Sequence, residues 1–456
     1  MTAQYTRNSS ERGKTLSVKP KNLVKGPHGF ARSEAETPSG MEPVTLWGSS
    51  RFALPEDTRQ TFVRLQAEDY AQSQGILYQR GGEKTVVVFN HPRAGFPSPY
   101  LAPFLLEAGF AVFGAMGRNF HNDTPCVHEY LLADIAAQVQ YLRKMGYDKI
   151  VLLGNSGGGS LSTFYQAQAN TQPPDRLTDT AAGDPYDLNT LDLPPADGLV
   201  LFAAHIGEGL FGLENLDPSV TDENDPLSCD PSLDMYNPEN GYREPPLSSS
   251  YTSEFLERYR AAQVARCERL DAKAREIVER KRKYRTQMQD PSFADLPFHE
   301  RLQITRLATS SEYLTVARVG ANPAYADLSI DPSTRVVGSL LHPDPHIGNY
   351  FLGGFASVMT PEGWLSTWSG LSSRANALEN IKKVDQPVLV VSYTADEGIL
   401  PHEAKAMHEN AATNDKSLVF VEGDHYAHAQ TEPVDAPIIE GADKLVTWLK
   451  ERYPVS

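Results

Sequence analysis

The chain has 456 residues, of which 40% are hydrophobic and 22% charged, and its formal net charge is −16. This is an ordinary globular composition, and the length is enough for two or three domains. Because phosphate binding needs a positive surface, the charge argues against a general nucleic-acid binder and against a protein of anionic membranes. Three scattered cysteines (Cys126, Cys229 and Cys267) are too few for a disulfide framework or a zinc site, so we expect a reducing, cytoplasmic setting.

The first 44 residues predict an extension rather than part of a packed domain. They are polar and mixed, and they show no helical or strand periodicity. We expect residues 1–44 to be partly disordered or wrapped over the surface. We also expect neither a secretory signal nor a membrane span, since no apolar run approaches the roughly 18 residues that a span requires.

From residue 45 the pattern alternates between buried strands and amphipathic helices. This alternation predicts a mainly parallel sheet with helices on both faces. The predicted strands cover residues 62–70, 75–78, 85–90, 110–115, 150–153 and 198–204, and the predicted helices cover residues 100–108, 128–145 and 160–169.

Residues 206–365 interrupt the alternation. A stretch rich in Pro, Asp, Asn and Tyr is followed by one long amphipathic helix over residues 253–289, whose charged face we expect to be solvated. The alternative to a solvated helix is a coiled coil that joins two copies of the chain as a homodimer. Gln263 and Lys281 argue against it, because they place polar groups in the seam that a coiled coil would use.

A short segment after this helix contains typical metal ligands. His342, Asp344 and His346 lie close together, but two prolines separate them and no second ligand cluster follows. An ordinary polar loop is therefore favoured over a metal site, and we predict no metal.

The alternating pattern returns at the end of the chain. Strands are predicted over residues 387–393 and 417–421, and helices around residues 404–408 and over residues 438–452. The sheet is therefore predicted to be interrupted by a large insertion and then completed.

The strongest motif is Gly154-Asn155-Ser156-Gly157-Gly158, which fits G-x-S-x-G at the end of a predicted strand. A serine on a sharp strand-to-helix turn adopts a strained backbone, and the glycines on both sides allow strand and helix to approach each other. Backbone N–H groups of the following helix would point towards the serine oxygen. The motif predicts a nucleophile at Ser156, with a glycine-rich structural turn as the alternative.

Two further loops follow predicted parallel strands and carry Asp396 and His425. A serine hydroxyl needs a histidine to accept its proton and a carboxylate to orient that histidine. With these loops and the Ser156 motif, the chain resembles the α/β-hydrolase superfamily. The resemblance implies that residues 45–205 and 366–456 form the hydrolase core, with residues 206–365 inserted as a cap.

The resemblance leaves rivals for two of the roles. Glu397 is next to Asp396, and Glu208 follows the preceding strand, where some family members place the acid. His428 competes with His425, but His425 directly follows Gly-Asp and fits the family better.

The resemblance also implies an oxyanion hole made of two backbone N–H groups. One belongs to Gly157, directly after the nucleophile. The other should come from the loop after the strand at residues 85–90, where Pro92 has no N–H and Arg93 is the best remaining donor. The Arg93 side chain either meets an anionic substrate group or points outward into solvent.

These features predict a cofactor-independent serine hydrolase that cleaves a carboxylic ester or lactone of a small molecule. The alternatives are a C–C bond hydrolase or an amidase with the same triad, and a non-catalytic binding protein with the same fold. Aromatic residues near the return to the sheet could line an apolar or aromatic acyl pocket; they are Tyr350, Phe351, Trp364 and Trp368.

Overall fold

The computed structural model describes residues 52–120, 122–350 and 355–455, and the backbone of residues 23–25 and 31–33. Phe351, one of the predicted substrate-binding residues, lies outside the described residues, as does most of the predicted N-terminal extension.

Within that extension, two short strands, β1 (Leu23–Lys25) and β2 (Ala31–Ser33), pair antiparallel. Strands of three residues are too short to show the period-2 alternation that marks a strand in the sequence, and the extension over residues 1–44 stays a prediction.

The core of the molecule is an eight-stranded sheet. The strands after β2 are β3 (Arg59–Gln66), β4 (Gln72–Gln79), β5 (Thr85–Asn90), β6 (Ala111–Met116), β7 (Lys149–Ser156), β8 (Gly198–Ala204), β9 (Leu314–Thr315), β10 (Val358–Met359), β11 (Val388–Tyr393) and β12 (Lys416–Val421). The order in the sheet is β3-β4-β6-β5-β7-β8-β11-β12. The pairs β3–β4 and β4–β6 are antiparallel, and the other neighbours in the sheet are parallel. This confirms the predicted mainly parallel sheet.

Helices cover both faces of this sheet, because its buried strands direct alternate apolar side chains to opposite sides. The helices are α1 (Ala102–Glu107), α2 (His128–Lys144), α3 (Gly157–Asn170), α4 (Glu208–Asn215), α5 (Ser253–Gln289), α6 (Phe298–Thr309), α7 (Pro345–Asn349), α8 (Pro361–Gly363), α9 (Ala377–Asn380), α10 (Pro401–Asn410) and α11 (Ala436–Arg452). One face of the sheet packs against α1 and α11, and the other against α2, α3 and α10.

This strand order, with an antiparallel pair at one edge and helices on both faces, is that of the α/β-hydrolase fold. The carboxyl ends of β5, β7, β8, β11 and β12 meet at one edge of the sheet, where open α/β sheets place their sites. None of the helices that the structure describes is both long and apolar enough to cross a membrane.

The segment between β8 and β11 leaves the sheet and contains the insertion predicted over residues 206–365. Its longest element, α5, has the bounds predicted from the sequence. One face of α5 carries Cys267, Leu270 and Ala274. This face packs against the rest of the insertion. Because this apolar face is already covered, homodimerisation through α5 stays a prediction and would have to use the exposed side of the helix.

Candidate active site

Ser156 lies at the junction between β7 and α3, with φ 53° and ψ −123°. A positive φ is strained for a residue with a side chain, and surrounding structure must hold it in place. A Cβ on Gly154 would lie 2.2 Å from the carbonyl oxygen of Gly158, and a Cβ on Gly158 would lie 1.9 Å from that of Asn90. Both glycines are therefore needed for β5, β7 and α3 to pack around the serine.

Asp396 follows β11, and His425 follows β12. Nδ1 of His425 lies 2.7 Å from Oδ2 of Asp396, and both side chains are buried. The other carboxylate oxygen, Oδ1, accepts hydrogen bonds from the backbone N–H groups of Gly398 and Ile399, both at 2.8 Å. These bonds fix the carboxylate, which in turn orients the imidazole.

The environment of His425 favours its protonated form. Burial acts to lower the pKa of His425, but the charge of Asp396 and the hydrogen bond to it outweigh burial and raise the pKa. Among the described residues no hydrogen bond joins Ser156 Oγ to His425. Such bonds are often long in enzymes without substrate and shorten when substrate binds.

The alternatives to Asp396 and His425 are either protonated or paired with other residues. Burial, followed by the charge of Asp396, raises the pKa of Glu397 to about 8, so this residue carries a proton at neutral pH. His428 pairs with Asp424 at 3.1 Å rather than with the candidate acid. Glu208 binds Arg93 at 3.0 Å. Among the candidate acids, only Asp396 is hydrogen-bonded to His425.

The loop after β5 differs from the expected oxyanion loop. The backbone N–H of Arg93 donates to Nδ1 of His91 at 3.1 Å, and that of Ala94 donates to the same atom at 2.9 Å. The predicted second donor is therefore already engaged in a local hydrogen bond. Gly157 begins α3, where its N–H is one of the free donors of a helix N-terminus.

The Arg93 side chain points into the protein rather than outward. Its Nε donates to Oε1 of Glu208 at 3.0 Å, and its Nη1 lies 3.3 Å from Asp123. The guanidinium also lies over the rings of Trp368 and Phe355, at 4.7 and 5.3 Å from their centroids. Arg93 thus links the loop after β5 to α4 and to the end of the insertion.

Two side chains lie beside Gly157, and one of them, His205, was not among the residues predicted from the sequence. A Cβ at position 157 would lie 2.3 Å from Oε1 of Glu208 and 3.3 Å from Nε2 of His205. His205 directly follows β8 and Glu208 begins α4, so both stand at the same sheet edge as Ser156. The position of His205 at a strand end was a signal that could have identified it.

The predicted aromatic residues are brought together only in part, because Trp364 and Trp368 belong to one buried cluster that does not include Tyr350. Trp368 reaches Arg93, whereas Trp364 is buried in the insertion and donates from Nε1 to Asp271 of α5 at 2.7 Å. Tyr350 is 47% exposed and accepts a hydrogen bond from Arg318. A shared acyl pocket for these residues stays a prediction, with Trp368 alone placed beside a candidate site residue.

The histidines and aspartate near residue 344 have structural contacts. Asp344 accepts a hydrogen bond from the backbone of His346 and so caps α7, while the ring of His346 packs against Tyr236 and Tyr350. In the described part of the chain, no three His, Cys, Asp or Glu side chains are grouped to hold a metal ion.

No family model and no curated protein sequence matches this chain. Solved structures with a similar chain path include DcsB in complex with its substrate analogue, at 14% identity and a TM-score of 0.43, covering 87% of this chain and 100% of that one. An esterase from Pyrococcus furiosus has 12% identity and a TM-score of 0.39, with coverage of 86% and 91%. A hypothetical protein from Pseudomonas aeruginosa has 13% identity and a TM-score of 0.41, with coverage of 91% and 100%. At these identities and TM-scores the likeness assigns no role to any residue.

Proposed function

We propose that the chain is a serine hydrolase that cleaves a carboxylic ester or lactone through an acyl-enzyme. The observation that supports this most directly is the buried His425–Asp396 hydrogen bond of 2.7 Å at the sheet edge where the strained Ser156 turn lies. A histidine held by a carboxylate is the group that a serine nucleophile needs as its base.

In the proposed reaction, Ser156 Oγ attacks the acyl carbonyl carbon while His425 accepts the hydroxyl proton. Asp396 holds the resulting imidazolium, and the N–H of Gly157 stabilises the oxyanion. His425 then gives the proton to the departing alcohol. In the second half of the reaction His425 accepts a proton from water, which attacks the acyl carbon, and the Ser156 oxygen leaves with that proton as the acid is released. For Arg93 to serve as the second oxyanion donor, its N–H has to turn away from His91.

Labelling with a fluorophosphonate probe tests the nucleophile. We expect the wild-type protein to be labelled and Ser156→Ala to remain unlabelled. Ser162→Ala is the matched control, since this serine lies on the same helix and its buried hydroxyl has no hydrogen-bond partner within the described residues. Labelling that persists in Ser156→Ala would overturn the proposal.

The class of bond is tested separately with p-nitrophenyl esters, p-nitroanilides and β-diketones. We expect the esters to be cleaved fastest and their turnover to vanish in Ser156→Ala. Faster cleavage of the anilides or the diketones would replace the ester assignment while leaving the nucleophile in place.

A further inference from the structure

Glu208 and His205 occupy the space that a side chain at position 157 would fill. Gly157 is the residue whose N–H is proposed to face the oxyanion, so these two groups lie beside the proposed oxyanion donor. Neither group belongs to the triad. Their position makes them part of the surface that an acyl group on Ser156 would meet.

Glu208 retains an unused hydrogen-bond acceptor at this place. Its Oε1 accepts from Arg93, but its Oε2 is buried and has no hydrogen-bond partner among the residues described. Nε2 of His205 is 3.7 Å from this oxygen, beyond hydrogen-bond distance. Nδ1 of His205 accepts from the N–H of Gly207, which places the ring proton on Nε2. A buried carboxylate oxygen without a donor is costly, since its desolvation is not compensated.

A second unpartnered group lies within the electrostatic range of Glu208. His128 is fully buried, and neither of its ring nitrogens has a hydrogen-bond partner in the described part of the chain. Its pKa responds to the charges of Glu208 and Arg93. His128 is therefore a second buried side chain with unused hydrogen-bonding capacity whose pKa the charge of Glu208 influences.

The charge of this region favours a hydrogen-bond donor over an anion. Burial lowers the pKa of His128 and of His205 to about 4, so both rings are neutral at pH 7. Burial acts to raise the pKa of Glu208, but the charge of Arg93 outweighs it and lowers the pKa to about 2. Arg93 faces two carboxylates, Glu208 and Asp123, so no positive charge is left over for an acidic substrate.

Aromatic rings line the same region. His205 stacks on Phe211, Phe211 contacts Phe355, and Phe355 contacts Trp368, with centroid distances of 5.2, 5.3 and 6.2 Å. A group bound here would meet an apolar wall and one polar end. Sites of this kind fix the orientation of a ligand through a small number of polar contacts.

We propose that Oε2 of Glu208, beside His205, forms a polar subsite that accepts a hydrogen bond from a hydroxyl or an ammonium group on the acyl part of the substrate. The proposal rests on the serine-hydrolase function above. Oε2 of Glu208 accepts the hydrogen bond, and Arg93 holds the carboxylate in place. The substrate class is thereby narrowed to esters of hydroxy or amino acids with the donor close to the carbonyl.

Matched p-nitrophenyl esters of butyric, 3-hydroxybutyric and 3-aminobutyric acid test the subsite, with Ser156→Ala as the blank for spontaneous hydrolysis. We expect kcat/KM to favour at least one donor-bearing ester over butyrate by about tenfold or more, as for one hydrogen bond to a charged group. The two donor-bearing esters distinguish a hydroxyl from an ammonium ligand.

Glu208→Gln replaces the acceptor with an amide and keeps the shape of the side chain. We expect it to lower kcat/KM for the preferred donor-bearing ester by about tenfold more than for butyrate, which abolishes the preference, since the hydrogen bond to the charged carboxylate is lost. Glu214→Gln is the matched control, because Glu214 lies on the same helix away from Gly157. We expect this control to keep the preference.

Two outcomes would overturn the proposed subsite and leave the proposed serine-hydrolase function in place. In one, fluorophosphonate labels Ser156 but all three esters are turned over equally. In the other, Glu208→Gln slows all three equally, which would mean that Glu208 only anchors Arg93. Failure of Ser156-dependent labelling would instead remove the proposed function itself.

Discussion

The interaction of His425 with Asp396 makes a prediction about pH. The proposed base must be neutral to accept a proton, and its pKa is raised above the ordinary 6.5 because Asp396 outweighs burial. Activity should therefore increase with pH through a midpoint above 6.5. Asp396→Asn should shift this midpoint to lower pH and decrease kcat on the order of 10⁴-fold. The measurement is kcat/KM for a p-nitrophenyl ester as a function of pH.

Glu397→Gln provides the control for this profile. Because the pKa of Glu397 is raised to about 8, the side chain is already uncharged over the acid limb. We expect its substitution to leave the midpoint nearly unchanged. If Glu397→Gln moved the midpoint as far as Asp396→Asn, Glu397 would be the acid that holds His425.

Gly157 makes a second prediction at the scale of one residue. An added Cβ would lie 2.3 Å from Oε1 of Glu208, so the carboxylate or the turn has to shift. We expect Gly157→Ala to fold, as judged by circular dichroism, and to lose about 10- to 100-fold in kcat/KM through misplacement of the oxyanion donor.

Gly117→Ala is the corresponding control. Its added Cβ would meet Oδ2 of Asp134 at 3.4 Å, which is ordinary contact. We expect this variant to keep its activity. Full activity in Gly157→Ala would show that the position of Glu208 is not coupled to the turn.

Local sequence was sufficient to identify Ser156, Asp396 and His425 as candidates because each follows a strand with a strong buried pattern. It could not identify the contact of Gly157 with Glu208. That contact depends on how α4 approaches the start of α3, which no local pattern encodes. The hydrogen bond from the Arg93 N–H to His91 could not be predicted either, since it depends on the conformation of the loop.

At the scale of an element, α5 buries polar side chains. One of them, Gln263, is a residue whose polarity argued against a coiled-coil seam in the sequence. Gln263 donates to the carbonyl oxygens of Glu214 and Leu216. Arg266 is fully buried, pairs with Glu223 at 2.7 Å and donates to the backbone of Asp217 and Ala317. A periodicity analysis gives the length of such a helix correctly but does not show that its polar positions are paired.

Arg266→Met tests the contribution of this pair. Removing the guanidinium leaves the Glu223 carboxylate and two carbonyl oxygens without their donor, and breaking a buried pair costs about 3–5 kcal/mol. We expect the free energy of unfolding, measured by chemical denaturation, to fall by an amount of this order. Arg275→Met, at an exposed position of the same helix, should change it by less than about 0.5 kcal/mol. Equal effects of the two substitutions would contradict a specific role for the buried pair.

At the scale of the molecule, the alternation of strands and helices was enough to predict the sheet and both of its covered faces. The arrangement of the insertion was not predictable in the same way. Its short strands and turns carry little periodic signal, and its contacts join residues distant in sequence, such as Trp364 and Asp271. Nearness in sequence grouped Tyr350 with Trp364, yet one side chain is exposed and the other buried.

The net charge of −16 acts on charged substrates over the whole surface. An anionic ester such as p-nitrophenyl hemisuccinate should be turned over less efficiently at low salt than neutral p-nitrophenyl pentanoate. The Debye length is about 10 Å at 0.1 M salt, so added NaCl screens the exposed charges and should raise the anionic-to-neutral ratio of kcat/KM several-fold. Salt screens the buried charge of Glu208 much less, so the anionic ester should still have a lower kcat/KM than the neutral ester at about 0.5 M NaCl. We expect this remaining difference to be smaller in Glu208→Gln. If the anionic-to-neutral ratio of kcat/KM did not change with salt, the surface charge would have no effect on substrate binding at the site.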